Sequence, residues 1–284
     1  MIPEQKLRVG AVSYLNTVPL VWGMLHGPQR DEVELSFSIP SLCAEQLEKG
    51  EVDIGLVPVA EIARQGLETV PGLGICCFGA VRSILLFSRV PWAKIRTLCA
   101  DLSSRTSVQL ARVILRERYG AEPSFATCEP VLEKMLSDAD AGLIIGDPAL
   151  RLNPEELPFE YLDLGAEWLT LTGLPMVFAA WSGKPGLPLR AAERLTRESY
   201  EFGRARLSEI IAHASKEHGI SAGLAERYLR QHIRYELGSK EQDGLQAFLR
   251  LANLNERTAS GAAGPSRPGP GVVRNAKTVA AERA

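Results

Sequence analysis

The chain has 284 residues, of which 45% are hydrophobic and 23% charged, and its formal net charge is −2. These values are typical of a globular protein with one large or two medium domains, and the lack of a basic cluster disfavours nucleic acid as a partner. The N-terminal residues do not have the basic and apolar regions of a signal peptide, and no apolar run approaches the ~20 residues of a membrane span. We therefore expect a cytoplasmic protein without a membrane segment.

Short apolar runs alternate with helix-like segments through the first two thirds of the chain. Alternating strands and helices favour mostly parallel sheets covered by helices. From 189 to 254 the pattern is almost wholly helical, and the Gly- and Pro-rich residues 258–284 are predicted to be a disordered tail. Strands are predicted at 7–12, 34–39, 53–57, 74–78, 83–88, 124–127, 142–145, 159–162 and 176–181, and helices at 41–49 and 107–119 among others.

The most informative motif follows the first predicted strand, where the apolar run ends in Ser13, Tyr14, Asn16 and Thr17. In an open α/β sheet, ligands bind beyond the carboxyl ends of the strands, which is where this turn would lie. Together the side chains form a set of hydrogen-bond donors suited to a ligand. The alternative is an Asn or Thr helix cap without any ligand.

A run of hydroxyl residues around one arginine precedes the predicted helix 107–119 and consists of Ser103, Ser104, Arg105, Thr106 and Ser107. Exposed N–H groups at a helix N-terminus attract anions, and an arginine can clamp a carboxylate. Four hydroxyl residues exceed what a cap requires, so we favour an anion-binding site. The alternative is an ordinary capped helix with a solvated arginine.

Another predicted strand ends at Gly146 and Asp147. Glycine permits close approach of the backbone to a ligand, and the aspartate could act as a general acid or base or orient a ligand hydroxyl. The alternative is that Asp147 caps the helix that begins at Pro148. Ser83, next to Arg82 at the start of a further strand, offers one more donor pair.

The sequence motifs do not support a metal site or a nucleotide-binding site. The five cysteines have no Cys-x-x-Cys spacing, and the vicinal pair Cys76–Cys77 is interpreted as small core residues in a reducing compartment. His213 and His218 lie five residues apart and do not share a helix face. The sequence lacks a dinucleotide fingerprint, a P-loop and a nucleophile elbow. Uncharged donors with an arginine or two and one aspartate suit a small organic acid, bound without a cofactor.

The order of elements favours two lobes with a cleft that closes about a hinge. Segments 83–88 and 176–181 are interpreted as the crossings, so that the first lobe comprises 1–88 and 176–257 and the second 89–175. A single sheet is the alternative.

Six segments, taken in this order, resemble the chorismate dehydratases of the futalosine pathway of menaquinone biosynthesis, over about residues 7–255. Met176 stands where phenylalanine is expected in that family, a conservative departure. The segments are Gly-Ala-Val-Ser-Tyr-Leu-Asn-Thr-Val-Pro-Leu at 10–20, Gly-Glu-Val-Asp-Ile-Gly-Leu-Val-Pro-Val-Ala-Glu at 50–61, Ser-Arg-Thr-Ser at 104–107, Ile-Gly-Asp at 145–147 with Ala149 and Leu150, Asp-Leu-Gly-Ala-Glu-Trp at 163–168, and Thr-Gly-Leu-Pro-Met-Val-Phe-Ala-Ala-Trp at 172–181.

The resemblance implies an α/β, two-lobed fold like that of type II periplasmic binding proteins, with the C-terminal helices packed on the first lobe. It also implies a lyase that converts chorismate to 3-[(1-carboxyvinyl)oxy]benzoate and water without a metal or organic cofactor. The resemblance further implies that Asn16 is the residue central to catalysis. The base is either Asp147 or the substrate's own enolpyruvyl carboxylate.

In this interpretation the substrate lies between the lobes. Ser103, Arg105, Thr106 and Ser107 bind a carboxylate from the second lobe, and Ser13, Asn16 and Ser83 hold the substrate from the first, while Tyr14, Thr17 and Gly146 complete the site. Three alternatives are the sister enzyme that cleaves a cyclic dehypoxanthine futalosine intermediate, a solute-binding protein, and the effector domain of a transcription regulator. A homo-oligomer is left open.

Overall fold

The computed structural model describes residues 6–254, so the predicted tail 258–284 lies outside the described residues. The strands of the described part are β1 (Leu7–Val12), β2 (Val33–Ser38), β3 (Ile54–Pro58), β4 (Glu68–Cys77), β5 (Ile84–Ser88), β6 (Thr97–Asp101), β7 (Ser124–Cys128), β8 (Ala141–Ile145), β9 (Glu160–Asp163), β10 (Met176–Gly183) and β11 (Arg234–Glu236). The helices are α1 (Val18–His26), α2 (Pro40–Lys49), α3 (Val59–Gln65), α4 (Thr106–Tyr119), α5 (Leu132–Asp138), α6 (Gly146–Arg151), α7 (Leu164–Thr172), α8 (Leu189–Arg204), α9 (Leu207–Glu217), α10 (Ala222–Arg227) and α11 (Ser239–Leu251).

The first lobe is built on a six-stranded sheet with the order β11-β4-β10-β3-β1-β2. Strands β1, β2 and β3 run parallel, and β10 returns antiparallel between β3 and β4. Residues of β3 are buried throughout, which is why the strand has an uninterrupted apolar sequence. The carboxyl ends of β1 and β3 therefore meet at one edge of this sheet.

The second lobe is built on a five-stranded sheet with the order β7-β6-β8-β5-β9. Strand β5 pairs antiparallel with β8 and β9 in this sheet. Assigning residues 84–88 to the first lobe was therefore wrong, and the chain crosses between the sheets before β5, at residues 78–83. All five residues of β5 are buried, so its local pattern predicts a strand but carries no information about which sheet it joins.

The crossing before β5 is held by an aspartate of the second lobe. The Asp163 carboxylate accepts hydrogen bonds from the backbone N–H of Val81 at 2.9 Å and of Arg82 at 2.6 Å. Arg82 has a φ of 64°, a conformation that a residue other than glycine holds only when its surroundings impose it. Its guanidinium donates to the carbonyl oxygens of Ala149 and Leu152, and burial lowers its pKa. These contacts fix the position of the neighbouring Ser83.

The C-terminal helices pack on the first lobe, as the family resemblance implied. Helix α8 lies against α1, where Ser199 Oγ donates to the Leu20 carbonyl oxygen at 2.8 Å and accepts from Met24 N at 3.1 Å. A Cβ on Gly203 would lie 2.2 Å from the Pro19 carbonyl oxygen, so glycine is needed for the helices to approach this closely. The packing fixes α1, which begins directly after the motif Ser13–Thr17.

The cysteines divide into two groups. Cys99 and Cys128 form a disulfide between β6 and β7, a pairing that the sequence analysis did not anticipate. Cys43, Cys76 and Cys77 are free and buried. Burial raises the pKa of the Cys76 thiol to about 12, in keeping with a role as a small core residue rather than a nucleophile. Within the described ranges, no helix is both long enough and apolar enough to cross a membrane.

Candidate functional site

Buried hydroxyl side chains collect at and beside the contact between the two lobes, and we call this set the hydroxyl layer. Burying a hydroxyl without a partner costs about 1–3 kcal/mol, so such groups are normally paired. Ser104 Oγ and the neighbouring carboxylate atom Asp101 Oδ2 nevertheless find no hydrogen-bond partner within residues 6–254. Ser104 thus keeps a hydroxyl proton that it can donate, and Asp101 keeps one oxygen that can accept a hydrogen bond. The layer consists of Thr17, Ser83, Ser103, Ser104, Thr106 and Ser107, each at most 5% exposed.

The N-terminus of α4 supplies most of this layer. Thr106 Oγ1 donates to the Phe178 carbonyl oxygen at 3.1 Å and accepts from Ala60 N at 3.3 Å, so this helix end is seated against the first lobe. The N-cap position is Arg105, and no side chain caps the helix. The hydroxyls thus do not perform the capping role that was the alternative to anion binding. Arg105 also lies 3.7 Å from the Glu61 carboxylate of the first lobe.

Tyr14 reaches across to the second lobe. Its hydroxyl lies 3.0 Å from Ser103 Oγ, which in turn donates to Asp101 Oδ1 at 2.7 Å. Burial raises the pKa of Tyr14 to about 12, so the phenol stays protonated near neutral pH. Ser13 is not part of the layer: it is exposed, its hydroxyl donates to the Ser38 carbonyl oxygen, and it borders a cavity of about 350 Å³.

Asn16 belongs to a chain of hydrogen bonds that the sequence did not predict. Its Nδ2 donates to the Tyr228 hydroxyl at 3.1 Å, and that hydroxyl donates to Ser83 Oγ at 2.8 Å. Thr17 Oγ1 lies 3.5 Å from Asn16 Oδ1. No side-chain hydrogen bond caps α1 at Thr17, so the alternative of an Asn or Thr cap finds no support in the geometry.

Asp147 links the second lobe to two parts of the first. Its Oδ1 accepts from Leu15 N at 3.0 Å, and its Oδ2 lies 2.5 Å from His218 Nδ1. The aspartate side chain is 8% exposed and the histidine side chain 15%. Both carboxylate oxygens are thus engaged by protein groups. No three His, Cys, Asp or Glu side chains of the described part are grouped so that they could hold a metal ion.

Gly146 has a φ of 64° and lies against the ring of Tyr14. A Cβ at this position would come within 2.6 Å of the ring, so the residue permits Tyr14 to reach Ser103. The close approach expected at Gly146 is thus made by a side chain of the protein itself.

We expect Gly146→Ala to destabilise the protein by more than Gly120→Ala. Both glycines have a φ of 64°, so both substitutions incur about 1–2 kcal/mol of backbone strain. Gly120 has open space around the new Cβ, whereas at Gly146 the Tyr14 ring must move, which adds roughly 1–3 kcal/mol. Thermal unfolding of the two variants measures the difference. Equal losses would show that Tyr14 does not pack closely on Gly146.

The sequence analysis did not predict two residues of this arrangement, since it did not name Tyr228 and considered His218 only as a metal ligand. Each comes from the helical C-terminal part and reaches residues more than 70 positions away, Tyr228 to Asn16 and His218 to Asp147. Neither stands in a motif. Only the packing of these helices on the first lobe brings them to the site.

Comparison with protein families matches residues 7–254 to a family model described as menaquinone biosynthesis. A chorismate dehydratase of Thermus thermophilus is 28% identical over 264 residues, covering 87% of this chain and 95% of the relative. A chorismate dehydratase of Campylobacter jejuni is 26% identical over 247 residues, covering 85% and 95%.

Solved structures with the same fold include protein AF1704 of Archaeoglobus fulgidus, with a TM-score of 0.69 at 16% identity, covering 88% of this chain and 98% of that one. The periplasmic aliphatic sulphonate binding protein SsuA of Escherichia coli has a TM-score of 0.61 at 14% identity, covering 90% and 93%. At these identities the likeness concerns the fold alone. It confirms the expected α/β fold of the periplasmic-binding-protein type.

Proposed function

Because the chain belongs to the menaquinone biosynthesis family over residues 7–254, we propose that it is a chorismate dehydratase. The observation that carries the proposal is that two curated relatives with this activity in their names match 85–87% of the chain. The reaction removes water from chorismate and yields 3-[(1-carboxyvinyl)oxy]benzoate. The protein is then a carbon–oxygen lyase, and because its substrate is an anionic biosynthetic intermediate, we place it in the cytoplasm.

The chemistry of the substrate suits the hydroxyl layer. Chorismate carries two carboxylates, a ring hydroxyl and an enolpyruvyl ether. Elimination breaks a ring C–H bond beside the ether oxygen and the adjacent C–OH bond, and the ring becomes aromatic. Since aromatisation supplies the driving force, the protein has chiefly to position the reacting groups and stabilise developing charge.

We assign one carboxylate of chorismate to the N-terminus of α4. The helix dipole and free N–H groups favour an anion there, and Arg105 adds a positive charge beside Ser103, Thr106 and Ser107. The unpartnered Ser104 hydroxyl supports this assignment, because a bound carboxylate would accept its hydrogen bond. Tyr14, Thr17 and Gly146 are assigned to the walls of the same site.

Asn16 is assigned the role of orienting and polarising the substrate, since a neutral amide cannot carry a proton at neutral pH. The base is Asp147 or the enolpyruvyl carboxylate of the substrate. The contacts of Asp147 with Leu15 N and His218 favour the substrate carboxylate, because they give Asp147 a holding role between the lobes. Ser13, exposed and bonded to Ser38, is assigned to the margin of the site.

The proposal is tested by incubating the purified protein with chorismate and separating the products by chromatography with mass detection. We expect a product lighter than chorismate by one water, formed faster than in buffer alone. Unchanged chorismate would contradict the proposal. If chorismate is unchanged but raises the melting temperature, the protein is a binding protein. If chorismate does not change the melting temperature either, the result favours the sister enzyme of the pathway.

A further inference from the structure

We infer that Tyr228 is a positioning residue for this reaction. Its hydroxyl holds the amide of Asn16 in place. The same hydroxyl donates to Ser83 Oγ, so that the proton of Ser83 points away from Tyr228. The inference rests on the proposed function above. It assigns a role to a buried phenol that lies in none of the sequence segments that carry the family resemblance.

The direction of each hydrogen bond follows from the atoms available. Asn16 Nδ2 can only donate, so the Tyr228 oxygen is the acceptor at 3.1 Å. The single phenol proton is then donated to Ser83 Oγ at 2.8 Å. Ser83, having accepted it, keeps its own proton for another partner, and no such partner for Ser83 Oγ lies among residues 6–254. The Ser83 O–H and the second N–H of Asn16 Nδ2 are left for a ligand, while Asn16 Oδ1 accepts from Thr17 Oγ1.

Burial restricts what Tyr228 can do. The residue is 1% exposed, and burial raises the pKa of its phenol far above the usual value of 10. A phenol with so high a pKa neither gains nor loses a proton near neutral pH. Tyr228 therefore orients its neighbours and is not itself an acid or base.

The backbone around Tyr228 is also unusual. Residues Tyr228–His232 form a π-helical turn directly after α10, and Ile233 N donates to the Tyr228 carbonyl oxygen at 3.1 Å. Such turns are rare and occur frequently at functional sites. The turn brings the Tyr228 phenol next to Asn16, although the two residues are 212 positions apart in the chain.

Tyr235 provides a matched control in the same region. It too is a buried tyrosine, 6% exposed, and burial raises its pKa well above 10. In contrast to Tyr228, its hydroxyl has no hydrogen-bond partner within the described part of the chain. Replacing each tyrosine with phenylalanine thus removes the same atom from two buried sites, of which only one touches Asn16.

The test is steady-state kinetics of Tyr228→Phe and Tyr235→Phe with chorismate, after wild-type dehydration has been established. We expect Tyr228→Phe to lower kcat by about 10- to 100-fold, the size of effect that small misplacements of reacting groups produce, with KM within about 3-fold. Tyr235→Phe should keep the wild-type kcat. In an Asn16→Ala background the slow turnover is measured over long incubations. There, adding Tyr228→Phe should lower kcat by less than about 3-fold further, because Tyr228 acts through Asn16.

A folded Tyr228→Phe variant with wild-type kcat would overturn the inference, and so would an undiminished loss in the Asn16→Ala background. Should Tyr228→Phe fail to fold, Ser83→Ala removes the acceptor of the phenol proton and leaves the bond between Asn16 and Tyr228, and full activity of that variant would overturn the part of the inference that concerns Ser83. A wild-type protein that does not dehydrate chorismate would instead count against the proposed function.

Discussion

Asn16→Ala is expected to lower kcat on chorismate by about 100- to 1,000-fold, the usual cost of removing one oriented donor from an active site. The amide is held by Tyr228 and lies beside Thr17, so a methyl group leaves no polar atom in that place. The side chain of Asn16 is half-buried and makes no other hydrogen bond to residues 6–254. We therefore expect the melting temperature to change little.

The variant should still bind chorismate, because the proposed carboxylate-binding site at the N-terminus of α4 is unchanged. Thermal shift with chorismate measures binding, and the product assay measures turnover. Asn153→Ala is a suitable control, since Asn153 stands at the start of a short 3-10 turn and its side chain caps nothing. Turnover of Asn16→Ala within 10-fold of wild type would remove Asn16 from the catalytic role proposed for it.

Asp147→Ala is expected to lower the free energy of unfolding by about 3 kcal/mol, because it leaves buried partners of a carboxylate unpaired. Both Leu15 N and His218 Nδ1 lose their acceptor. For a chain of this size the melting temperature should fall by roughly 6–12 °C. Asp53→Ala is the control: Asp53 also accepts from a backbone N–H, that of Arg8, but its ion pair with Arg8 is about one third exposed, so its loss should destabilise the protein less than Asp147→Ala. Equal losses in the two variants would contradict a tethering role for Asp147.

Asp147→Asn separates the tether from proton abstraction. The amide oxygen can still accept from Leu15 N, but an amide is not a base at neutral pH. If the substrate carboxylate removes the proton, kcat should stay within about 10-fold of wild type, because only orientation is disturbed. A folded Asp147→Asn variant with kcat lowered more than about 1,000-fold would make Asp147 the base instead.

Local sequence was sufficient to propose those parts of the candidate site whose residues are contiguous in the chain. The turn after β1 and the run before α4 could be predicted because each combines a strand or helix end with polar side chains. The structure brings the Tyr14 hydroxyl within 3.0 Å of Ser103 Oγ across the lobes. What local sequence could not provide is the hydrogen-bond partner: Asn16 meets Tyr228 only through the packing of the C-terminal helices.

The prediction of the lobes shows the same limit. A buried apolar strand such as β5 has the same sequence character whichever sheet it joins, and hydrogen bonding to β8 and β9 decides the matter. Strand β6 was missed because its five residues, Thr97–Asp101, include Ala100 and end in an acid. The family resemblance supplied the correct fold type where local patterns left a single sheet open.

The most direct test of the account is a crystal structure of the Asn16→Ala variant soaked with chorismate, since slow turnover should trap the substrate. We predict a chorismate molecule between the lobes, with one carboxylate at the N-terminus of α4, within hydrogen-bond distance of Ser104 and Ser107. The ring hydroxyl should face Ser83. Chorismate bound elsewhere, or with both carboxylates away from α4, would contradict the proposed site.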